Sequence, residues 1–123
     1  MTRPLRILCV EDDSDIRLLL NLALGKLGDF EVVLAASGEE ALEQLSDSAP
    51  DLLLLDLMLP GISGLEVLQQ ARCRPGFEDL QGVLMTARPP ASNPGDWQQP
   101  GILGVVSKPF DPMSLASQIR AFI

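Results

Sequence analysis

Asp51-Leu52-Leu53-Leu54-Leu55-Asp56 carries four successive apolar residues between two acids. An alternating strand would turn every second side chain to water. This run therefore belongs to a strand buried on both faces, as in the middle of a parallel sheet covered by helices. Leu5 to Val10 is a second buried run, closed by Glu11-Asp12-Asp13. Glu31 to Ala35 (EVVLA), Gly82 to Thr86 (GVLMT) and Gly104 to Ser107 (GVVS) read as three more strands.

Helical patterns lie between them. From about Asp15 to Leu27, the residues Ile16, Leu19, Leu20, Ala23, Leu24 and Leu27 recur at helical spacing. Asp13 or Ser14 can cap that helix, and Gly28 can end it. Ser37 with Glu40 forms a capping box for a helix through about Leu45, and Ser63 with Glu66 forms another for a helix to about Arg72. Asp111-Pro112, a cap followed by a first-turn proline, starts a last helix to about Phe122. Strands alternating with helices predict a single α/β domain over residues 1–123, with right-handed crossovers and helices on both faces.

No stretch approaches the ~18 apolar residues of a membrane span. The apolar run ending at Glu11 is too short for a signal-peptide core, and no small-residue cleavage site follows it. The expectation is a cytoplasmic protein without membrane contact. The net charge is −8, from 9 basic and 17 acidic residues. The basic residues are scattered, which argues against direct nucleic-acid binding. Cys9 and Cys73 have no paired spacing, and Cys9 reads as a small buried hydrophobe. Histidine is absent, which excludes histidine triads, histidine-ligated zinc and a phosphohistidine on this chain.

Ligands of an open parallel sheet gather beyond the carboxyl ends of its strands. At those ends this chain places Glu11 and Asp12, then Asp56, Thr86 and, just past the last strand, Lys108. Three converging carboxylates repel one another unless a cation neutralises them. Oxygen ligands select a hard cation, and Mg²⁺ suits a site that also admits a phosphoryl group. Asp56 is then the natural nucleophile, forming an acyl phosphate. Lys108 would pair with the phosphoryl group as a point charge, and the Thr86 hydroxyl would bond one of its oxygens. Taken singly, each of these residues also has a plain structural use, Asp12 and Asp13 as helix caps above all; their placement on four strand ends is the functional signal.

The residues that carry this chemistry are those of the response-regulator receiver family, which the whole chain resembles. Ile7-Leu8-Cys9-Val10-Glu11-Asp12-Asp13 is similar to the family's acidic opening motif. The segment from Asp51 to Glu66 is similar to its phosphoacceptor segment, and Val83-Leu84-Met85-Thr86-Ala87 and Val105-Val106-Ser107-Lys108-Pro109-Phe110 to the remaining two. Asp12 to Asp56, Asp56 to Thr86 and Thr86 to Lys108 are separated by 44, 30 and 22 residues, the intervals of a receiver. The resemblance implies a doubly wound, flavodoxin-like parallel sheet of five strands in order 2-1-3-4-5. It implies that Asp56 is phosphorylated by a sensor histidine kinase or a histidine phosphotransfer protein. It also implies that Glu11, Asp12, Asp56 and the Met58 backbone carbonyl hold Mg²⁺, and that Lys108-Pro109 is cis. Such a module catalyses its own phosphorylation and dephosphorylation and signals by conformational switching to a downstream protein.

Three features depart from the family's pattern. Val105 stands where receivers commonly carry Tyr or Phe, so the rotating aromatic of the usual switch is missing. The segment Arg88 to Gly101 holds four prolines and two glycines, and an interior proline costs a helix ~3 kcal/mol. The fourth helix is therefore expected to be short or broken, at most a turn from about Pro94 to Gln98, and the common symmetric dimer of that face is not expected. Trp97, in the same segment, is expected to plug the core left by the lost helix. Met58 and Arg88 occupy the positions that tune acyl-phosphate lifetime.

Three other functions compete with the phosphoacceptor. A degenerate receiver could serve as a phosphorylation-independent scaffold, but a scaffold does not require three clustered carboxylates. An aspartyl-phosphate phosphatase would want a second acid where Met58 stands. A nucleotide-binding flavodoxin-like protein would want a glycine-rich turn where Glu11-Asp12-Asp13 stands. A stand-alone receiver, a phosphorelay intermediate and a part of a larger regulator or hybrid kinase all remain compatible with the chain.

Overall fold

The computed structural model describes residues 4–87 and 99–123. Five strands, β1 (Arg6–Val10), β2 (Glu31–Ala35), β3 (Leu52–Asp56), β4 (Gln81–Thr86) and β5 (Ile102–Ser107), form one sheet in order β2-β1-β3-β4-β5, every pairing parallel. This is the expected α/β architecture. Four helices are present among the described residues: α1 (Ser14–Leu20), α2 (Gly38–Ser48), α3 (Gly64–Arg72) and α4 (Leu115–Phe122). The expected interruption of a helix after β4, with Arg88 and Trp97, lies outside the described residues.

β3 is buried along its whole length, and its leucines divide between two cores. Leu53 and Leu55 pack with Leu8, Val10, Leu42, Leu68 and Leu84 on the α2–α3 side. Leu52 and Leu54 pack with Ile7, Leu24, Val83, Leu115 and Ile119 on the other. Each fully buried leucine contributes roughly 1.5–3 kcal/mol of transfer free energy, so this strand anchors the position of Asp56 at its end. Cys9 is fully buried in the second core, and burial pushes its thiol up to about 12; it acts as a small apolar side chain.

Both serine caps form, and at the first the acid also reaches back. Ser37 Oγ accepts the Glu40 amide at 3.1 Å, and Glu40 Oε2 reaches back to the Ala36 amide at 3.3 Å. Ser63 Oγ accepts the Glu66 amide at 3.2 Å. Four expectations need correction. α2 runs to Ser48, past Leu45, and ends on a left-handed Ala49. The regular part of α4 begins at Leu115: Asp111 Oδ1 accepts the Met113 amide and Asp111 O the Leu115 amide, each at 3.0 Å, so the cap starts a turn that leads into the helix. The helix predicted from Asp15 to Leu27 changes pitch midway. α1 is continued by a π-helical segment, Asn21–Lys26, followed by a Leu27 amide bonded to Leu22 O five residues back.

The wider turn breaks the 3.6-residue period. Ala23 and Leu24 stay buried, whereas Leu19 and Leu27, expected on the apolar face, are 42% and 50% exposed. Nor is Gly28 the left-handed terminator. That conformation falls on Asp29, with φ 60°. Gly28 is buried where this segment meets α4: a Cβ there would stand 2.6 Å from Ala116 Cβ and 2.8 Å from Leu24 O. Arg120 of α4 donates to the Gly28 carbonyl and stacks on Phe30, 4.2 Å from the ring centre. No helix of the described residues is long and apolar enough to cross a membrane.

Candidate functional site

Register brings the chemistry-bearing residues together. Val10 pairs with Leu55 and Asp56 with Met85, while Thr86 pairs with Ser107. Glu11, one residue past β1, is therefore level with Asp56, and Lys108 follows directly from β5. Three bonds continue the ladders into the loops: Glu11 N–H to Ala35 O at 3.0 Å, Leu57 N–H to Met85 O at 2.9 Å and Lys108 N–H to Thr86 O at 2.8 Å.

Glu11, Asp56 and Thr86 are the buried polar side chains among the described residues; Glu11 is fully buried, and Asp56 and Thr86 keep 5% and 6% exposure. Asp12 is exposed. One carboxylate oxygen from each of Glu11, Asp12 and Asp56 lies within 4.8 Å of the others. This donor set is all oxygen and acidic, and it fits a hard divalent cation. Met58 N–H donates to Asp56 Oδ1 at 3.0 Å, which brings the Met58 peptide to the edge of the cluster while its side chain is exposed.

Lys108 reaches two of the carboxylates. Its Nζ donates to Glu11 Oε1 at 2.6 Å and to Asp56 Oδ2 at 2.9 Å. The Lys108-Pro109 peptide is cis, as expected. Burial pushes the Glu11 carboxyl above its ordinary value, against the opposing effect of the Lys108 bond. Burial works against the Lys108 ammonium, but its bonds to Glu11 and Asp56 outweigh this and hold its pKa above the ordinary value. A buried acid pair with one ammonium between them still carries excess negative charge, which a divalent cation would offset.

Two residues that the sequence pattern did not single out shape the site. Gly64, at the start of α3, packs on the backbone of Asp56: a Cβ there would stand 2.5 Å from Asp56 O and 3.2 Å from Leu55 Cβ. Arg17, on the first turn of α1, donates through Nη1 to the carbonyls of Glu11 and Asp12. Its position four residues after the cap Asp13 was the available signal, since helical side chains lean back toward the N-terminus.

Comparison with known proteins agrees with this geometry. The family model for the response regulator receiver domain matches residues 7–120. The response regulator Rre1 of Synechocystis sp. (strain ATCC 27184 / PCC 6803 / Kazusa) is 35% identical over 120 residues, covering 98% of this chain and 52% of that protein. The phosphate regulon transcriptional regulatory protein PhoB of Rhizobium meliloti (strain 1021) is 37% identical over 118 residues, covering 96% and 52%. The chain thus spans about half the length of these curated relatives. The crystal structure of the chemotaxis response regulator CheY4 of Vibrio cholerae is similar at a TM-score of 0.86 and 25% identity, covering 98% of this chain and 99% of that one.

Proposed function

The chain belongs to the response-regulator receiver family, and from that premise we propose that it is a cytoplasmic phosphoacceptor module, with Asp56 as the residue phosphorylated. The donor is a phosphohistidine on a sensor histidine kinase or a histidine phosphotransfer protein. One Asp56 carboxylate oxygen attacks phosphorus, the phosphorus–nitrogen bond breaks, and the leaving imidazole takes up a proton. The product is an acyl phosphate on Asp56. The observation that supports this most is the convergence of Glu11, Asp12, Asp56, Thr86 and Lys108 from four strand ends on one rim.

Glu11, Asp12, Asp56 and the Met58 backbone carbonyl would hold Mg²⁺, which when bound neutralises charge on the phosphoryl oxygens. Lys108 exchanges its bond to Asp56 Oδ2 for one to a phosphoryl oxygen, serving as a point charge. Thr86 donates its hydroxyl to another phosphoryl oxygen. Both groups sit at strand ends, so their movement biases the loops beyond β4 and β5, and a partner protein reads the resulting population. The module acts on its own aspartate, in forming and in losing the phosphoryl group, and not on a separate substrate.

Incubation with phosphoramidate or acetyl phosphate and Mg²⁺, followed by intact-mass measurement, tests this reading. One phosphoryl adduct is expected, absent from Asp56→Asn and absent without the metal. An unmodified chain with every donor would overturn the proposal in favour of a phosphorylation-independent scaffold.

A further inference from the structure

The geometry points to Arg17 as the positioning residue that holds the acidic pair after β1 in ligand geometry, and so sets the affinity of the site for its divalent cation. This inference rests on the reading of Glu11, Asp12 and Asp56 as a Mg²⁺ site.

Arg17 Nη1 lies 2.9 Å from Glu11 O and 3.0 Å from Asp12 O. That nitrogen carries two hydrogens, so one terminal group of the guanidinium serves two consecutive peptides. These peptides belong to the two acids whose side chains meet Asp56. The bond arises from the start of α1. Asp13 Oδ1 accepts the Asp15 and Ile16 amides at 2.8 and 3.2 Å, and Asp13 O accepts the Arg17 amide at 3.0 Å. A residue one turn in from the cap leans toward the helix N-terminus, here directly over the loop.

The contrast with Lys108 gives the bond its meaning. Lys108 occupies carboxylate oxygens of Glu11 and Asp56, the atoms a cation needs. Arg17 takes main-chain carbonyls, so it braces the acidic loop without covering those oxygens. Glu11 is already fixed by burial and by Lys108. Asp12 is exposed, and Arg17 holds the carbonyl of its peptide. Loss of Arg17 therefore acts first on Asp12, the ligand with the least other support.

Residues that orient metal ligands from behind typically change affinity 10–100-fold when removed. The experiment is calorimetric titration of the 123-residue chain with Mg²⁺. Arg17→Met is expected to raise the Kd about tenfold, with Arg17→Lys between it and the parent because an ammonium can still donate to the loop carbonyls, but from a shorter side chain. Arg72→Met is the control: Arg72 Nη1 donates to Leu80 O at 2.8 Å, at the other end of β4, so its loss should lower the melting temperature and leave the Kd unchanged. In phosphoramidate labelling, Arg17→Met should shift the Mg²⁺ concentration giving half-maximal rate more than the rate at saturation.

If Arg17→Met melts lower but binds Mg²⁺ as the parent does, Arg17 only anchors the helix and the inference is overturned. Should Arg17→Met fail to fold, Arg17→Lys decides by the same Kd comparison. A parent chain that binds no Mg²⁺ removes the metal reading itself, and this inference with it, whatever the variants do.

Discussion

Lys108 Nζ stands 2.6 Å from Glu11 Oε1, joining the end of β5 to the end of β1 across Asp56 at the end of β3. The Glu11 side chain is fully buried, and that of Lys108 keeps 17% exposure. Removing one partner of a buried pair is costly because the other charge stays behind. Lys108→Met is expected to lose about 3 kcal/mol at pH 7 by urea denaturation. The pH dependence follows from the shifts. The Lys108 pKa is raised in the folded state, so its contribution is complete below the ordinary value of 10.5 and disappears as pH rises through the folded value. The difference between parent and variant should close in that alkaline window. The Glu11 pKa is also raised, so its ionisation costs stability as pH rises above the ordinary 4.5. Without Lys108 this cost grows, and the variant should recover relative to the parent as pH falls from neutral toward 4.5. A difference independent of pH would contradict the pairing.

Lys108 and a metal would draw on the same two carboxylates, Glu11 and Asp56. Mg²⁺ at a hundred times its Kd should stabilise the parent by about 2.7 kcal/mol through binding to the folded state alone, and chelation should reverse this. Lys108→Met should bind Mg²⁺ more tightly than the parent, because the ammonium no longer shares the carboxylates and no longer repels the ion. Weaker binding in the variant would show that Lys108 supports the metal site and does not compete with it.

Gly64 tests how closely Asp56 depends on its backbone support. Its virtual Cβ meets the Asp56 carbonyl at 2.5 Å, and a backbone atom cannot swing aside as a side-chain tip can. Gly64→Ala should cost about 1–3 kcal/mol, the usual range for overpacking, and should slow phosphoramidate labelling at saturating Mg²⁺. A variant as stable and as reactive as the parent would mean that the start of α3 shifts without moving Asp56.

The strand ends were legible because their signals are local and one-dimensional. Four successive leucines between turn signals suit a strand buried on both sides, and an acid that closes such a run lies at its rim. The caps were legible for the same reason: Ser37 and Glu40 satisfy amides within four residues of each other. What could not be read depends on distant contacts. The pairing of Lys108 with Glu11 spans 97 residues, and nothing in the chain distinguishes a lysine waiting for phosphate from one already paired. The close approach of Gly64 to Asp56 depends on where α3 starts above β3. The π segment kept enough apolar residues to pass for an ordinary helix, and the change of pitch shows only in the structure, in the bond from the Leu27 amide to Leu22 O.

Gly28 shows most directly how that segment is fixed. A glycine closing a helical pattern reads as a left-handed terminator, yet Asp29 takes that conformation, and Gly28 serves instead as the contact that lets α4 approach. Its virtual Cβ overlaps both Ala116 Cβ, at 2.6 Å, and the Leu24 carbonyl, at 2.8 Å. One is a short side chain with no rotamer to change, the other backbone, so neither can yield cheaply. Gly28→Ala is expected to destabilise by about 1–3 kcal/mol, or roughly 4 °C of melting temperature per kcal/mol for a domain of this size. Gly25 lies in the same π segment, where a Cβ would meet only Asn21 Oδ1 at 3.4 Å and Val32 Cγ2 at 3.6 Å. Gly25→Ala should therefore be neutral or stabilising by up to about 1 kcal/mol, since alanine restricts the unfolded chain and favours helix. Equal losses from the two substitutions would place the cost in the backbone of the π segment and remove the packing role given to Gly28.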